Sequence, residues 1–133
     1  MKRTYVKCPY CGAQAVLQPA QVVHGDRAKP GQYLYVCPHY PQCDAYVGVH
    51  AHSLLPLGTL ANGDLRHKRI LAHKAFEQFQ KDCRMEKWQA YQWLQAKFGM
   101  RRDQAHIGKF SDYMCEQLIA ACKEAESNRR RAA

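Results

Sequence analysis

Long apolar runs are missing from this chain of 133 residues. No stretch reaches the roughly 18 apolar residues of a transmembrane helix, so we expect no membrane partner. The first residues, Met1 to Cys8, also lack the apolar core and cleavage site of a signal peptide. We therefore expect a cytoplasmic protein, in which cysteines serve as metal ligands, reactive thiols or packing residues and not as disulfides.

Catalytic motifs are missing as well. The sequence has no Gly-rich phosphate loop, no Gly-x-Ser-x-Gly motif and no pair of carboxylates in a recognisable active-site context. We therefore predict no catalytic residues and a protein that is not an enzyme. An enzyme of uncharacterised type is the lowest-ranked alternative.

Acidic residues are scarce relative to basic ones. The chain has 20 Lys and Arg but 11 Asp and Glu, a formal charge of +9, while its 47% of apolar residues is typical of a globular protein. Residues 1–60 carry five basic and two acidic residues, and residues 61–133 carry fifteen and nine. This excess favours a nucleic-acid partner and assigns most of the positive charge to the second half.

The seven cysteines are unevenly spaced, and four of them form two knuckles. Cys8 and Cys11 are separated by two residues, and Cys37 and Cys43 by five. Turn residues lie in both knuckles, and four thiolates around a tetrahedral ion suit zinc. We predict one structural Zn ion, with packed or redox cysteines as the alternative. His39 is a candidate substitute ligand, but we expect a solvent-facing turn residue.

The residue pattern differs between the part of the chain that contains the two knuckles and the part that follows. Up to about residue 50, short β-type runs alternate with Gly and Pro, whereas the later sequence has helical periodicity. The pattern predicts an α+β protein. A zinc ribbon with a small antiparallel sheet (1–50) and a connector (51–61) precede a three-helix unit with a basic disordered tail (62–133). We expect the ribbon to pack on the helices.

The helices have recognisable ends. We predict a first helix near 64–82, with Asn62 or Asp64 as N-cap, and a second helix near 85–98 that ends at Gly99. A third helix is predicted to follow an N-cap at Ser111. In the second helix, Trp88 and other aromatic residues are expected to pack against the rest of the unit.

A basic cluster opens the first helix. Arg66, Lys68 and Arg69 oppose the helix macrodipole there, which suggests a nearby anion such as a nucleic-acid phosphate. The alternative is a solvated face compensated by acidic neighbours.

Six tyrosines lie within the ribbon, and those in the knuckles are the candidates for base stacking. We expect Tyr10 and Tyr40 to be exposed and to stack on unpaired bases. The alternative is that the tyrosines form the ribbon's own core, a role expected of Tyr46 with Tyr33 or Tyr35.

Two resemblances rest on quoted segments. Cys-Pro-Tyr-Cys-Gly at residue 8 and Tyr-Val-Cys-Pro-His-Tyr-Pro-Gln-Cys at residue 35 resemble the C-terminal four-cysteine zinc ribbons of bacterial type IA DNA topoisomerases. That resemblance covers residues 8–49 and implies binding of single-stranded DNA. The longer chain resembles an uncharacterised family of small zinc-finger-containing proteins of bacteria and phages, which implies zinc binding. The segments that carry this second resemblance are Ala45–His50, Pro56–Asn62, Ala90–Leu94 and His106–Phe110.

The sequence thus favours a non-enzymatic, zinc-binding protein that binds nucleic acid and prefers single-stranded DNA. The alternative is a zinc-stabilised protein-interaction module, such as a phage-encoded modulator of a host enzyme.

Overall fold

The computed structural model describes residues 5–132, which contain a three-stranded antiparallel sheet and four helices. The predicted α+β class is therefore confirmed. Two compact units divide the chain after Asp64. The sheet and the four clustered cysteines lie in the first unit, and the three long helices occupy the second.

The sheet has the order β1-β2-β3, with β1 at Val16–Pro19, β2 at Tyr33–Val36 and β3 at Tyr46–Gly48. A short helix α1 (Gln21–His24) and a 3-10 turn follow β1. Aromatic and β-branched residues dominate β2, which suits a central strand with neighbours on both sides.

Successive side chains of β2 pack alternately into two small cores. Tyr35 packs in one, beside the knuckle cysteines Cys8 and Cys37, while Leu34 and Val36 pack in the other with Ala20. Successive side chains of a strand point to opposite faces of the sheet, which explains this division. The predicted core role of Tyr35 is confirmed, because the residue is only 8% exposed.

Residues 51–61, expected as a connector, pair with the sheet. Pro56 forms a bridge with Val49, and Ala61 exchanges two backbone hydrogen bonds with Tyr46, at 3.1 and 3.2 Å. Leu60 is fully buried in the core that contains Cys8 and Cys37. Burial of such a side chain contributes about 1.5–3 kcal/mol, so this segment helps to stabilise the metal-binding unit.

The second unit is built from α2 (Gly63–Asp82), α3 (Lys87–Phe98) and α4 (Asp112–Ala132). The predicted ends are largely confirmed. Gly99 adopts the left-handed conformation with φ +62°, and the Ser111 Oγ accepts a hydrogen bond from the Met114 N–H at 3.2 Å. At the start of α2, the Gly63 N–H donates to the Asp44 carboxylate at 3.0 Å, a cap from a distant residue.

The last helix continues through the basic segment for which the sequence predicts disorder. Arg129 donates a hydrogen bond to the carbonyl of Asp82, and Arg130 forms an ion pair with Glu126 at 2.9 Å. Basic residues in a last turn also interact favourably with the helix dipole, so the helical state has support that the local composition does not reveal.

Within residues 5–132, no helix combines the length and the apolar character that crossing a membrane requires.

Candidate functional site

The first cysteine knuckle forms the tip of a narrow hairpin. The Cys8 N–H donates to the Ala13 carbonyl and the Gly12 N–H to the Cys8 carbonyl, both at 2.8 Å. Gly12 has φ +76°, a conformation that glycine adopts without strain. The backbone thus turns tightly enough for the side chains of Cys8 and Cys11 to converge.

The second knuckle links β2 to β3. The Tyr40 N–H donates to the Cys37 carbonyl and the Cys43 N–H to the His39 carbonyl, each at 3.0 Å. The Cys37 N–H in turn donates to the Ala45 carbonyl at 3.0 Å, which continues the strand pairing into the knuckle. Neighbouring strands therefore hold both ends of this wider turn.

The two knuckles bring four sulfur atoms together. All four lie within 4.8 Å of one another, and two pairs that join different knuckles are separated by 3.5 Å, for Cys8 and Cys43, and 3.4 Å, for Cys11 and Cys37. A zinc–sulfur bond of about 2.3 Å in a tetrahedron gives sulfur–sulfur separations of about 3.8 Å. The arrangement therefore fits one zinc ion with four protein ligands. In residues 5–132, no other group of three or more His, Cys, Asp or Glu side chains lies close enough to share a metal.

Burial differs among the four ligands. Cys8 and Cys37 are each 1% exposed, whereas Cys43 is half-buried and Cys11 is exposed. Burial raises the pKa of the Cys37 thiol to about 12, and burial also raises the pKa of Cys43. Burial of Cys8 opposes ionisation too, but hydrogen bonds from the backbone N–H groups of Cys11 and Tyr10 lower its pKa overall.

A zinc ion would supply the positive charge that the buried thiolates need. Four protein ligands fill the tetrahedron and leave no position for a water molecule or a substrate. The centre is therefore suited to a structural role.

His39, expected as a solvent-facing turn residue, also contacts the four-cysteine cluster. Its Nδ1 is 3.4 Å from the Cys11 sulfur, although the side chain is exposed. An N–H group at this distance stabilises a thiolate by hydrogen bonding and orients it for the metal. His39 thus contacts a ligand residue.

A small antiparallel sheet with two cysteine knuckles defines a protein of the zinc-finger class, and the chain holds one structural zinc ion. More particularly, the chain belongs to a family of zinc-finger-containing domains, whose model matches residues 4–125. No curated protein matches the chain, and no solved structure matches it either. The membership confirms the zinc-finger family inferred from the sequence. The resemblance to topoisomerase ribbons is not confirmed.

The two knuckle tyrosines occupy different environments. Tyr10 is 44% exposed, and its hydroxyl accepts a hydrogen bond from the Asn62 N–H at 3.1 Å. Tyr40 was expected to be exposed but is half-buried, because its ring packs against the small core of Ala20, Leu34 and Val36. Of the two, Tyr10 offers the larger accessible ring surface.

The three basic residues of the cluster in α2 also occupy different environments. Arg69 is only 8% exposed, and its Nε donates to the Phe110 carbonyl at 3.1 Å. The Lys68 ammonium lies 2.6 Å from the Glu116 carboxylate, and Arg66 is half-buried. Arg69 is therefore a packing residue of the helical unit, a different role from the phosphate contact expected of it.

The environment of Trp88 differs from the one that the sequence predicts. Trp88 was expected to pack within the helical unit, but it is 61% exposed and lines a cavity. The spacing of residues in α3 indicates this exposure, because the buried residues Ala90 and Leu94 lie roughly opposite to Trp88 on the helix.

Proposed function

We propose that this protein is a non-enzymatic nucleic-acid-binding protein that prefers single-stranded DNA, in which zinc stabilises the first unit. The observation that carries this proposal is the charge of the helical unit. Residues 65–133 contain fifteen Lys and Arg but eight Asp and Glu, a formal charge of +7. Such a field attracts a polyanion, and release of the counterions of the nucleic acid supplies binding free energy.

The zinc-binding unit contributes little to this field. Residues 1–64 contain five basic and three acidic residues, and four thiolates with one Zn²⁺ add a charge of −2, which brings the unit close to neutral. Its role in the proposal is to present the partly exposed ring of Tyr10 on a rigid knuckle. A ring of this kind stacks on unpaired bases, which supports the preference for single strands.

The phosphate contacts in this proposal shift away from Arg69, whose side chain is occupied inside its own unit. Exposed basic residues on the same and neighbouring elements are better placed: Lys74 on α2, Lys87 on α3 and Arg102 in the following segment. Because these contacts are to the backbone of the nucleic acid, they confer affinity without sequence preference.

A titration against single- and double-stranded DNA and RNA of equal length tests the proposal. Between about 50 and 200 mM salt, three phosphate contacts on a single strand predict about a 20-fold loss of affinity. Single-stranded DNA should bind more tightly than the duplex at both salt concentrations. Absence of binding at low salt, or a preference for the duplex, would refute this function.

A protein-interaction module is the second candidate, and two exposed leucines favour it. Leu55 and Leu57 are 47% and 50% exposed, and they flank Pro56, which is fixed by its bridge to Val49. Residues two apart in an extended segment share a face, so the pair presents apolar surface to a partner such as a host enzyme.

A variant with both leucines changed to serine separates this candidate from the first. Loss of a specific protein partner in a pull-down, with nucleic-acid affinity unchanged, would support the interaction module. An unchanged set of captured proteins would count against it.

A further inference from the structure

A cavity of about 820 Å³ lies in the helical unit, between one face of α3 and residues 102–106. Pockets that bind small molecules have volumes of about 300–1,000 Å³, so this one is large enough for a ligand. Neither the zinc centre nor the basic cluster at the start of α2 lines it. Two of the phosphate contacts proposed above, Lys87 and Arg102, line it.

Aromatic rings form one part of its wall. Trp88 and Tyr91 are three residues apart on α3, which places them on the same side of the helix. Tyr91 is held by an edge-to-face contact with Phe76, with ring centroids 5.3 Å apart, whereas Trp88 remains 61% exposed. The other tryptophan of the chain, Trp93, packs on Phe79 at 4.2 Å, so packing of the unit uses one indole and leaves the other accessible.

Basic side chains form another part. Lys87, Arg102 and His106 line the cavity, and among its lining residues in the described part of the chain none is acidic. Arg101, the neighbour of Arg102, instead forms an ion pair with Asp103 at 3.3 Å. The cavity is therefore suited to an anionic group.

Amide side chains complete the wall. Gln92 and Gln95 follow Trp88 at four and seven residues along α3, on the same face as the aromatic rings. A glutamine amide offers both hydrogen-bond donors and an acceptor, which is the pattern that the edge of a nucleobase requires.

An indole face, two permanent cations and two amides match three features of a nucleotide: the face of its base, its phosphate and the edge of its base. The base stacks on an aromatic ring, the phosphate pairs with guanidinium or ammonium groups, and the amides contact the base edge. In a duplex the bases stack on one another, so only an unpaired nucleotide can offer its ring face. An acidic peptide would satisfy the cations but would leave the aromatic wall unused.

We propose that the cavity between α3 and residues 102–106 binds an unpaired nucleotide, with its base on Trp88 and its phosphate at Arg102 and Lys87. This proposal rests on the proposed function, because it names the place where a single strand is held. The same chemistry is found in a free mononucleotide, so binding of a strand and binding of a mononucleotide are measured separately.

The first experiment measures fluorescence anisotropy of a labelled strand of about twelve thymidines, within the usual range of single-strand site sizes. Trp88→Ala should weaken binding roughly 5- to 150-fold, the loss expected for one stacked base. Trp88→Phe keeps a ring and should retain most of the affinity. The matched control is Tyr113→Ala, since Tyr113 is 66% exposed on α4 and should bind as the wild-type protein does.

The charge is tested in the same assay. Arg102→Ala should weaken binding of the strand more than Arg101→Ala, although the two arginines are adjacent. Circular dichroism should show the same helix content for all variants. Wild-type affinity in Trp88→Ala, or equal losses in Trp88→Ala and Tyr113→Ala, would overturn the nucleotide cavity while leaving the proposed function intact.

The second experiment uses thymidine monophosphate and follows tryptophan fluorescence. Quenching in the wild-type protein that is absent from Trp88→Phe would support the cavity. If the strand does not bind but the mononucleotide quenches in this way, the cavity is a site for free nucleotides and the proposed function fails. If neither binds, both proposals fail. Displacement of the labelled strand by a hexaglutamate peptide as effectively as by thymidine monophosphate would overturn recognition of the base.

Discussion

The hydroxyl of Tyr10 accepts a hydrogen bond from the backbone N–H of Asn62 at 3.1 Å. Tyr10 lies between the two ligand cysteines of the first knuckle, and Asn62 immediately precedes α2. The bond therefore ties the knuckle to the last residues of the first unit. It also separates two roles of one side chain, because the hydroxyl is used in the fold while the ring is partly exposed.

Two substitutions at Tyr10 distinguish these roles. Tyr10→Phe should reduce the free energy of unfolding by about 0.5–1.5 kcal/mol through the lost hydrogen bond, yet should bind single-stranded DNA as well as the wild-type protein. Tyr10→Ala should in addition weaken single-strand binding by about 1–3 kcal/mol, with duplex binding and zinc content unchanged. Denaturant unfolding and a binding titration supply both measurements.

Tyr40 offers the comparison for that experiment. Its ring packs against Ala20, Leu34 and Val36, so Tyr40→Ala should lower stability by about 1–3 kcal/mol, whereas Tyr40→Phe should not. Equal losses on single strand and duplex for Tyr10→Ala would count against base stacking at the knuckle.

Removal of a zinc ligand should unfold the first unit. Zinc binding supplies about 10–16 kcal/mol in sites of this type, more than a core of this size provides. Cys8→Ser and Cys43→Ser should therefore purify with little zinc and a protease-sensitive first unit. Cys83→Ser should retain one equivalent, because Cys83 lies outside the cluster. Less than half an equivalent of zinc in wild-type protein with an intact sheet would contradict the structural role.

Arg69 and Lys74 should separate stability from binding, although both are basic residues of α2. Arg69→Ala removes a buried hydrogen bond from a charged group and should reduce the free energy of unfolding by about 1.5–3 kcal/mol. Lys74→Ala, at an exposed position, should leave stability nearly unchanged and reduce the slope of log affinity against log salt by about 0.7 for a single strand. The opposite pattern in unfolding and salt titrations would restore Arg69 as a phosphate contact.

The thiol of Cys122 should make stability depend on alkaline pH. Burial, with a smaller contribution from Cys83, raises its pKa from 9.0 to about 11. The folded state then retains a proton that the unfolded state loses, so this contribution is present below pH 9.0 and is lost as the pH rises towards 11. Its size is about 1–3 kcal/mol.

Wild-type protein and Cys122→Ala should be unfolded with denaturant across this range. The wild-type protein should lose more stability than the variant, because only the wild-type protein carries the buried Cys122 thiol. A parallel loss in the two proteins would show that the buried thiol does not titrate as expected. Alkylation of Cys122 should likewise be slow at neutral pH and accelerate as the thiolate forms.

Features encoded by neighbouring residues could be predicted from the sequence. The two knuckles, the left-handed Gly99 and the cap at Ser111 each depend on a few adjacent residues, and the structure has all of them. The fold class followed from the change between β-type runs and helical periodicity.

Features that depend on distant partners could not be predicted in full. Arg69 lies four residues after Leu65 and three before Ala72, so its place on the buried face of α2 was visible in the spacing. Its acceptor is the carbonyl of Phe110, 41 residues away, and no local pattern identifies that bond. Pairing of residues 51–61 with β3 was missed for the same reason.

The pairing of Ala61 with Tyr46 and the burial of Leu60 define where the zinc-binding unit can be cut for fusion or transplantation into another protein. A fragment that stops at residue 50 contains every ligand cysteine but exposes the core beside Cys8 and Cys37, and it deprives the Tyr46 N–H and carbonyl of their partners. A fragment that extends to Asp64 keeps these groups together, along with the bond between Asp44 and Gly63. The portable unit is thus set by the strand pairing beyond the last cysteine and not by the spacing of the cysteines.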